Sequence, residues 1–228
     1  MLLAVGALIV IALIFGPSLW VKLVMKRYSL VKPEMPGTGG ELAMHLIKRF
    51  SLKDVKVEVT ELGDHYDPIE KKVRLLQEHY ESKSLTAIAI AAHEVGHAIQ
   101  DQQGDKRLAT RTKMAPVVDK VARWSAIIIS LSPVIGIITR HPMSFSLLLF
   151  IGLSGFIARM MFHAVTLPIE FDASFSKALP LLREGNYVSQ SNEKAVSRIL
   201  RAAALTYVSA ALADILNLGR WIVILLRR

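Results

Sequence analysis

His93 and His97 stand four residues apart with Glu94 between them, in the stretch SLTAIAIAAHEVGHAIQDQQ from Ser84 to Gln103. On an α-helix that spacing stacks both imidazoles on one face, where two nitrogens can share one metal ion. Glu94 follows His93 at about 100° round the helix, so its carboxylate can reach a water beside the metal without binding the ion. That is where zinc hydrolysis needs a general base. Two histidines one turn apart can also be an ordinary solvated pair, but Leu85 to Ala92 is apolar on nearly every face, which predicts a buried helix. Three buried polar side chains left unpaired would cost several kcal/mol, and a zinc ion would satisfy all three. Ser84 is the expected N-cap and Gly104 the expected residue just past the helix end.

A catalytic zinc site takes a third protein ligand and keeps one position open for water. The chain has no cysteine, which excludes disulfides, thiolate catalysis and sulfur-ligated zinc and leaves histidine and carboxylate as strong ligands. In LPIEFDAS, Leu167 to Ser174, Glu170 and Asp172 follow directly on an apolar run. Glu170 is the expected third ligand and Asp172 a carboxylate that orients a histidine; exposed acids at a helix start are the alternative. Asp101 and His163 are next in line as ligands. His65 and Tyr66, in GDHYDP between Gly63 and Pro68, are either donors to a developing oxyanion or, more commonly, turn residues.

These residues must be positioned by a chain of 228 residues that is 52% hydrophobic and carries a formal charge of +9. The basic residues flank apolar runs, a pattern that favours a membrane over nucleic acid. Leu2 to Val21 is uncharged and long enough to cross a hydrocarbon core as a helix, with Lys22, Lys26 and Arg27 at its cytoplasmic end. No basic residue precedes this run and no cleavage signature follows it, which argues against a signal peptide. Trp124 to Thr139 and Met143 to Ala158 are two further uncharged runs, each 16 residues long, around a polar turn at His141 and Pro142. They predict a membrane hairpin, short of the usual ~20 residues but extendable by snorkelling of Arg123, Arg140 and Arg159. Ala202 to Leu226 is apolar except for Asp214, Asn217 and Arg220, and reads as a fourth span with a polar face or as a helix packed beside the others.

Between the spans, Glu41 to Phe50 is an amphipathic helix led by a GTGG turn and cap. Val55, Val57 and Val59 predict a half-buried strand, and Lys72 to Leu76 a second one that could receive a substrate as an added strand.

Five stretches taken together, GTGGELA, DHYDP with the following VRLL, AAHEVGHAIQ, LPIEFDAS and RAAALTYVSAAL, resemble the YugP-like family of bacterial membrane zinc metallopeptidases over most of the chain. The resemblance implies a membrane-embedded endopeptidase with His93, His97 and Glu170 as zinc ligands and Glu94 as the catalytic residue. HtpX-type gluzincins are more distantly similar: their ligand lies in a Glu-x-x-Ala-Asp pattern that Glu170 and Ala173 fit, while Ser174 replaces the aspartate.

The expected fold is therefore a mainly α integral membrane protein with a zincin-like catalytic core, a small β element and an HExxH helix. Its expected parts are an N-terminal span (1–27), a catalytic segment with the HEVGH helix (28–120), a membrane hairpin (121–166), a catalytic segment with the third ligand (167–204) and a C-terminal span (205–228). The expected function is zinc-dependent endopeptidase, one Zn2+ per chain, in the bacterial inner membrane with its site on the cytoplasmic side. Its partners would be membrane lipid and a protein or peptide substrate associated with the membrane, with no nucleic acid. A scaffold with structural zinc, or a zinc hydrolase of a non-peptide amide or ester, are the competing readings.

Overall fold

The structure is a computed structural model that describes residues 2–140 and 142–226. In chain order its elements are α1 (Leu2–Arg27), α2 (Gly39–Arg49), β1 (Lys56–Thr60), β2 (His65–Asp67), β3 (Lys72–Leu76), α3 (Gln77–Tyr80) and α4 (Leu85–Gln102). Then come α5 (Lys106–Thr139), α6 (Pro142–Phe171), a π-helical segment (Asp172–Ala178), α7 (Leu179–Glu184) and α8 (Gln190–Leu226). The protein is mainly helical with one small sheet, and it divides into two compact units.

One unit comprises residues 15–109 and 167–206 and is built around α4. Every residue of α4 from Leu85 to Gln100 is buried, as its apolar composition predicts. Ser84 caps the helix by accepting from the Ala87 amide, and Gly104 leaves it at φ +70°, a left-handed conformation that suits glycine. Leu42, Ala43 and Leu46 of α2, Val73 and Leu75 of β3, Leu181 and Leu182 of α7, and Val196, Ile199 and Leu200 of α8 share one buried core with α4. The GTGG stretch serves as a cap: Thr38 accepts from the Glu41 amide while the Glu41 carboxylate accepts from the Thr38 amide, a reciprocal capping box.

The sheet has the order β1-β3-β2, with β1 parallel and β2 antiparallel to β3. Two expectations change here. GDHYDP is more than a turn, because His65–Asp67 forms β2, a strand too short to show a period in the sequence. And Lys72–Leu76, although a strand over the expected residues, is the central one, so its backbone is committed to β1 along its length and to β2 over Lys72–Arg74, and it offers no continuous free edge to a substrate. Val73 and Leu75 face the core, while Arg74 on the opposite face bonds Glu58, Asp67 and Glu70. Val59, expected to be half-buried, is 47% exposed near the end of edge strand β1.

The other unit comprises residues 1–14, 110–166 and 207–228. Among the described residues, three helical stretches are long and apolar enough to cross a membrane: Lys106–Thr139, Ser146–Glu184 and Gln190–Gly219. The hairpin runs of 16 residues prove to be parts of helices of 34 and 30 residues, which removes the shortfall in length. Arg140, at φ 50°, ends the first of them; His141 of the expected turn lies outside the described residues. The expected N-terminal span is helical as α1, but nearly all its side chains before Phe15 lie outside the described set, as does that of Arg220. Gly152 and Gly155 of α6 lie against Ile129 and Ser125 of α5, where a Cβ would come within 2.3 Å and 2.4 Å of those side chains, so small residues set the closeness of the pair. Large apolar side chains such as Ile137, Ile138 and Phe150 are exposed. Asp214, one of the polar residues in the C-terminal apolar run, is buried and bonded by Arg159 at 2.7 Å.

Candidate metal centre

Side chains from two parts of the chain meet in the α4-centred unit. His93 and His97 project from α4 one turn apart, and Glu170 arrives from the last turn of α6. One Glu170 carboxylate oxygen lies 3.1 Å from His93 Nε2 and 3.4 Å from His97 Nε2. The three residues are 3–5% exposed, and one ligand atom from each falls within 4.8 Å of the others. Among the described residues this is the one group of three or more histidine, cysteine or acidic side chains arranged to hold a metal ion. Two imidazoles and a carboxylate are a donor set that suits zinc, and their convergence in a buried place fits such an ion.

Local backbone features bring the segments together. Gly96, between the two histidines, faces the π-helical segment, and a Cβ there would stand 2.9 Å from the Ala173 carbonyl oxygen. Glycine therefore lets α4 approach the turn that follows Glu170. Pro168, which brings no amide hydrogen, precedes Glu170 by two residues, and the helix widens to π geometry from Asp172. Glu94 is buried on α4, next to His93 and outside the three-residue cluster.

A second layer surrounds the histidines. Ser174 Oγ lies 3.1 Å from His93 Nδ1, and Gln100 Oε1 lies 2.9 Å from His97 Nδ1. The Gln100 amide nitrogen also donates to the Ile169 carbonyl and, at 2.7 Å, to Asp172 Oδ2. Asp172 thus reaches His97 through Gln100, where direct contact with a histidine was the expectation. Gln100 was legible as a further polar residue on an apolar helix, three positions past His97 and so on its face; its partners come from a remote segment and were not.

The remaining candidates lie elsewhere. Asp101 accepts from the Tyr66 hydroxyl at 2.7 Å and pairs with Lys71 at 2.5 Å. Burial, together with the bond to Asp101, raises the Tyr66 phenol well above its ordinary range, so Tyr66 stays protonated and ties β2 to the end of α4. His65 Nδ1 is 2.8 Å from the Gly63 carbonyl oxygen, a local turn contact. His163 belongs to the other unit, where it lies 3.3 Å from Asp214.

A family model described as "Putative neutral zinc metallopeptidase" matches residues 3–226. The chain is also similar to the "Putative membrane protease YugP" of Bacillus subtilis (strain 168), 35% identical over 217 residues that cover 92% of each chain. No solved structure matches it.

Proposed function

This chain belongs to the neutral zinc metallopeptidase family, and on that premise we propose that it is a membrane-embedded endopeptidase of gluzincin type. One observation carries the reading: two histidines of one buried helix and a glutamate 77 residues from His93 converge through atoms able to hold a metal. His93, His97 and Glu170 would hold a zinc ion, which when bound polarises a peptide carbonyl and lowers the pKa of a water to about 7. Glu94 is the base: its carboxylate accepts the proton as the water oxygen bonds to the carbonyl carbon. As the C–N bond breaks, the same carboxylate passes that proton to the leaving nitrogen. Burial of the set excludes bulk water and keeps the ligand side chains in place. Segments 28–120 and 167–204 make up the catalytic part. Basic residues between Lys22 and Lys120 assign it to the cytoplasmic side of a multi-pass bacterial inner-membrane protein.

The test is Glu94→Gln in the purified full chain. The variant is expected to keep its zinc, measured by elemental analysis, and to cleave an unfolded substrate such as casein roughly 10²–10⁴-fold more slowly than the parent. A zinc-replete variant that cleaves at the parent rate removes Glu94 from the role. A parent that binds zinc and cleaves nothing favours a structural ion.

A further inference from the structure

The first turns of α8 have two opposed faces. Val196, Ile199 and Leu200 are fully buried in the core shared with α4. Lys194, Arg198 and Arg201 follow one another at four and three residues, which puts them in one stripe on the other side of the helix, and all three are exposed. Arg183 of α7 joins them. These four cations and Ser197 line a cavity of about 300 Å³. Glu193 is the one acid among the described residues that line it, and Arg183 already pairs with that carboxylate. Like charges at such spacings repel, so the cavity is left with a cationic excess that an anion would neutralise.

Its place in the chain narrows the kind of anion. Arg201 is the last charge before residues 202–213, an uncharged run in one of the helices long and apolar enough to cross a membrane. Arg198 Nη1 donates to the Tyr28 hydroxyl at 3.4 Å, and Tyr28 directly follows Lys26 and Arg27, the basic end of α1. The basic end of one apolar run therefore meets the basic start of another. Tyrosine and cations gather at the level of lipid headgroups, and basic clusters at that level attract anionic lipid. Guanidinium groups match phosphate because their planar fork gives two parallel hydrogen bonds to its oxygens.

We propose that the cavity between α7 and α8 binds the phosphate of an anionic phospholipid headgroup. Arg198 and Arg201 hold its oxygens, Lys194 adds a point charge and the Ser197 hydroxyl a further donor. Free phosphate offers the same oxygens, but a bilayer presents its phosphates where the apolar runs end. The site rests on the membrane placement of the chain and uses no part of the zinc cluster.

The experiment titrates the detergent-purified full chain with phosphatidylglycerol, with zwitterionic phosphatidylcholine and with inorganic phosphate, and counts bound ligand by native mass spectrometry. Phosphatidylglycerol is expected to bind most tightly. Arg198→Gln with Arg201→Gln should weaken it about 30-fold, while Lys53→Gln with Lys56→Gln, which removes the same charge from exposed positions elsewhere in the unit, should leave it unchanged. If the arginine pair does not fold, Lys194→Gln, a single exposed change, should cost about 5-fold and decides the matter. Affinity unmoved in a folded variant, or lowered equally by the control pair, overturns the site. Inorganic phosphate that binds as tightly as the lipid assigns the cavity to a soluble anion and overturns the lipid. Recovery of the parent in the membrane fraction and its zinc content, measured on the same preparation, test the membrane and zinc readings separately.

Discussion

Each unit of this protein buries a carboxylate against histidine, and the two clusters have opposite chemistry. In the unit of residues 1–14, 110–166 and 207–228, Asp214 is bonded by the Arg159 guanidinium at 2.7 Å with His163 beside it at 3.3 Å. Arginine keeps its charge at any ordinary pH and has no lone pair to give, so that cluster is balanced from within and ties α6 to α8. In the α4-centred unit, Glu170 instead meets two imidazoles through Nε2, and imidazole is a ligand. A buried aspartate paired with a half-buried arginine thus completes a helix contact, whereas a buried Glu–His–His set has donor atoms for a cation. Burial and hydrogen-bond length alone would not distinguish them.

The strongest way to break this comparison is to delete each carboxylate. Glu170→Ala removes one of three ligands and is expected to abolish zinc retention through purification, and activity with it. Asp214→Ala is expected to leave zinc content per folded chain unchanged, while lowering stability by about 1–3 kcal/mol through loss of the bond to Arg159. Loss of metal in Asp214→Ala, with retention in Glu170→Ala, would reverse the assignment of the two clusters.

The units are also expected to differ in what reaches them from outside. The natural chain has no cysteine, so single cysteines can be placed without background. Lys83→Cys and Glu184→Cys, in the α4-centred unit, should be shielded from an impermeant maleimide in intact cells, and Pro142→Cys, at the start of α6, should be labelled. Labelling at either of the first two would refute the cytoplasmic placement.

A smaller effect is expected at Asp172, which polarises Gln100 and touches neither histidine. Asp172→Ala should weaken zinc binding by roughly 10-fold, at the low end for groups behind a ligand, and leave metal measurable when zinc is supplied. Affinity equal to that of Glu170→Ala would mean that Asp172 is itself a ligand.

The smallest effect lies at His79 of α3, far in chemistry from either cluster. His79 is partly buried, which lowers its pKa, but Asp64 at 2.7 Å outweighs burial and raises it above its unfolded value of 6.5. A raised folded pKa means that the native state holds the proton more tightly. The stabilisation is therefore fully present below about pH 6.5 and is lost as pH rises through the folded pKa. Denaturant titrations at pH 6 and pH 9 should show this change in the parent and a smaller one in Asp64→Asn. An unaltered pH dependence in the variant would assign it elsewhere.

By itself the sequence determined the local features whose causes lie within a turn or two. The i,i+4 spacing of His93 and His97 places both on one helix face, the Ser84 and Gly104 signals bound that helix, and the apolar stretch ahead of it makes it buried. Uncharged runs ending at arginines marked helices long and apolar enough to cross a membrane, although their length, 34 and 30 residues, continued through charged turns where hydropathy fades. What depends on distant partners was decided only in the tertiary structure. β2 is three residues long and exists because β3 pairs with it. Which acid meets the histidines, Glu170 or Asp172, depends on the helical phase after Pro168, and the change to π geometry at Asp172 is not written in any periodicity. The partners of Gln100 and Ser174 lie 69 and 81 residues away along the chain, at Ile169 and His93. Hydrogen-bond polarity is set by every neighbour of a group at once, and only the folded chain assembles those neighbours.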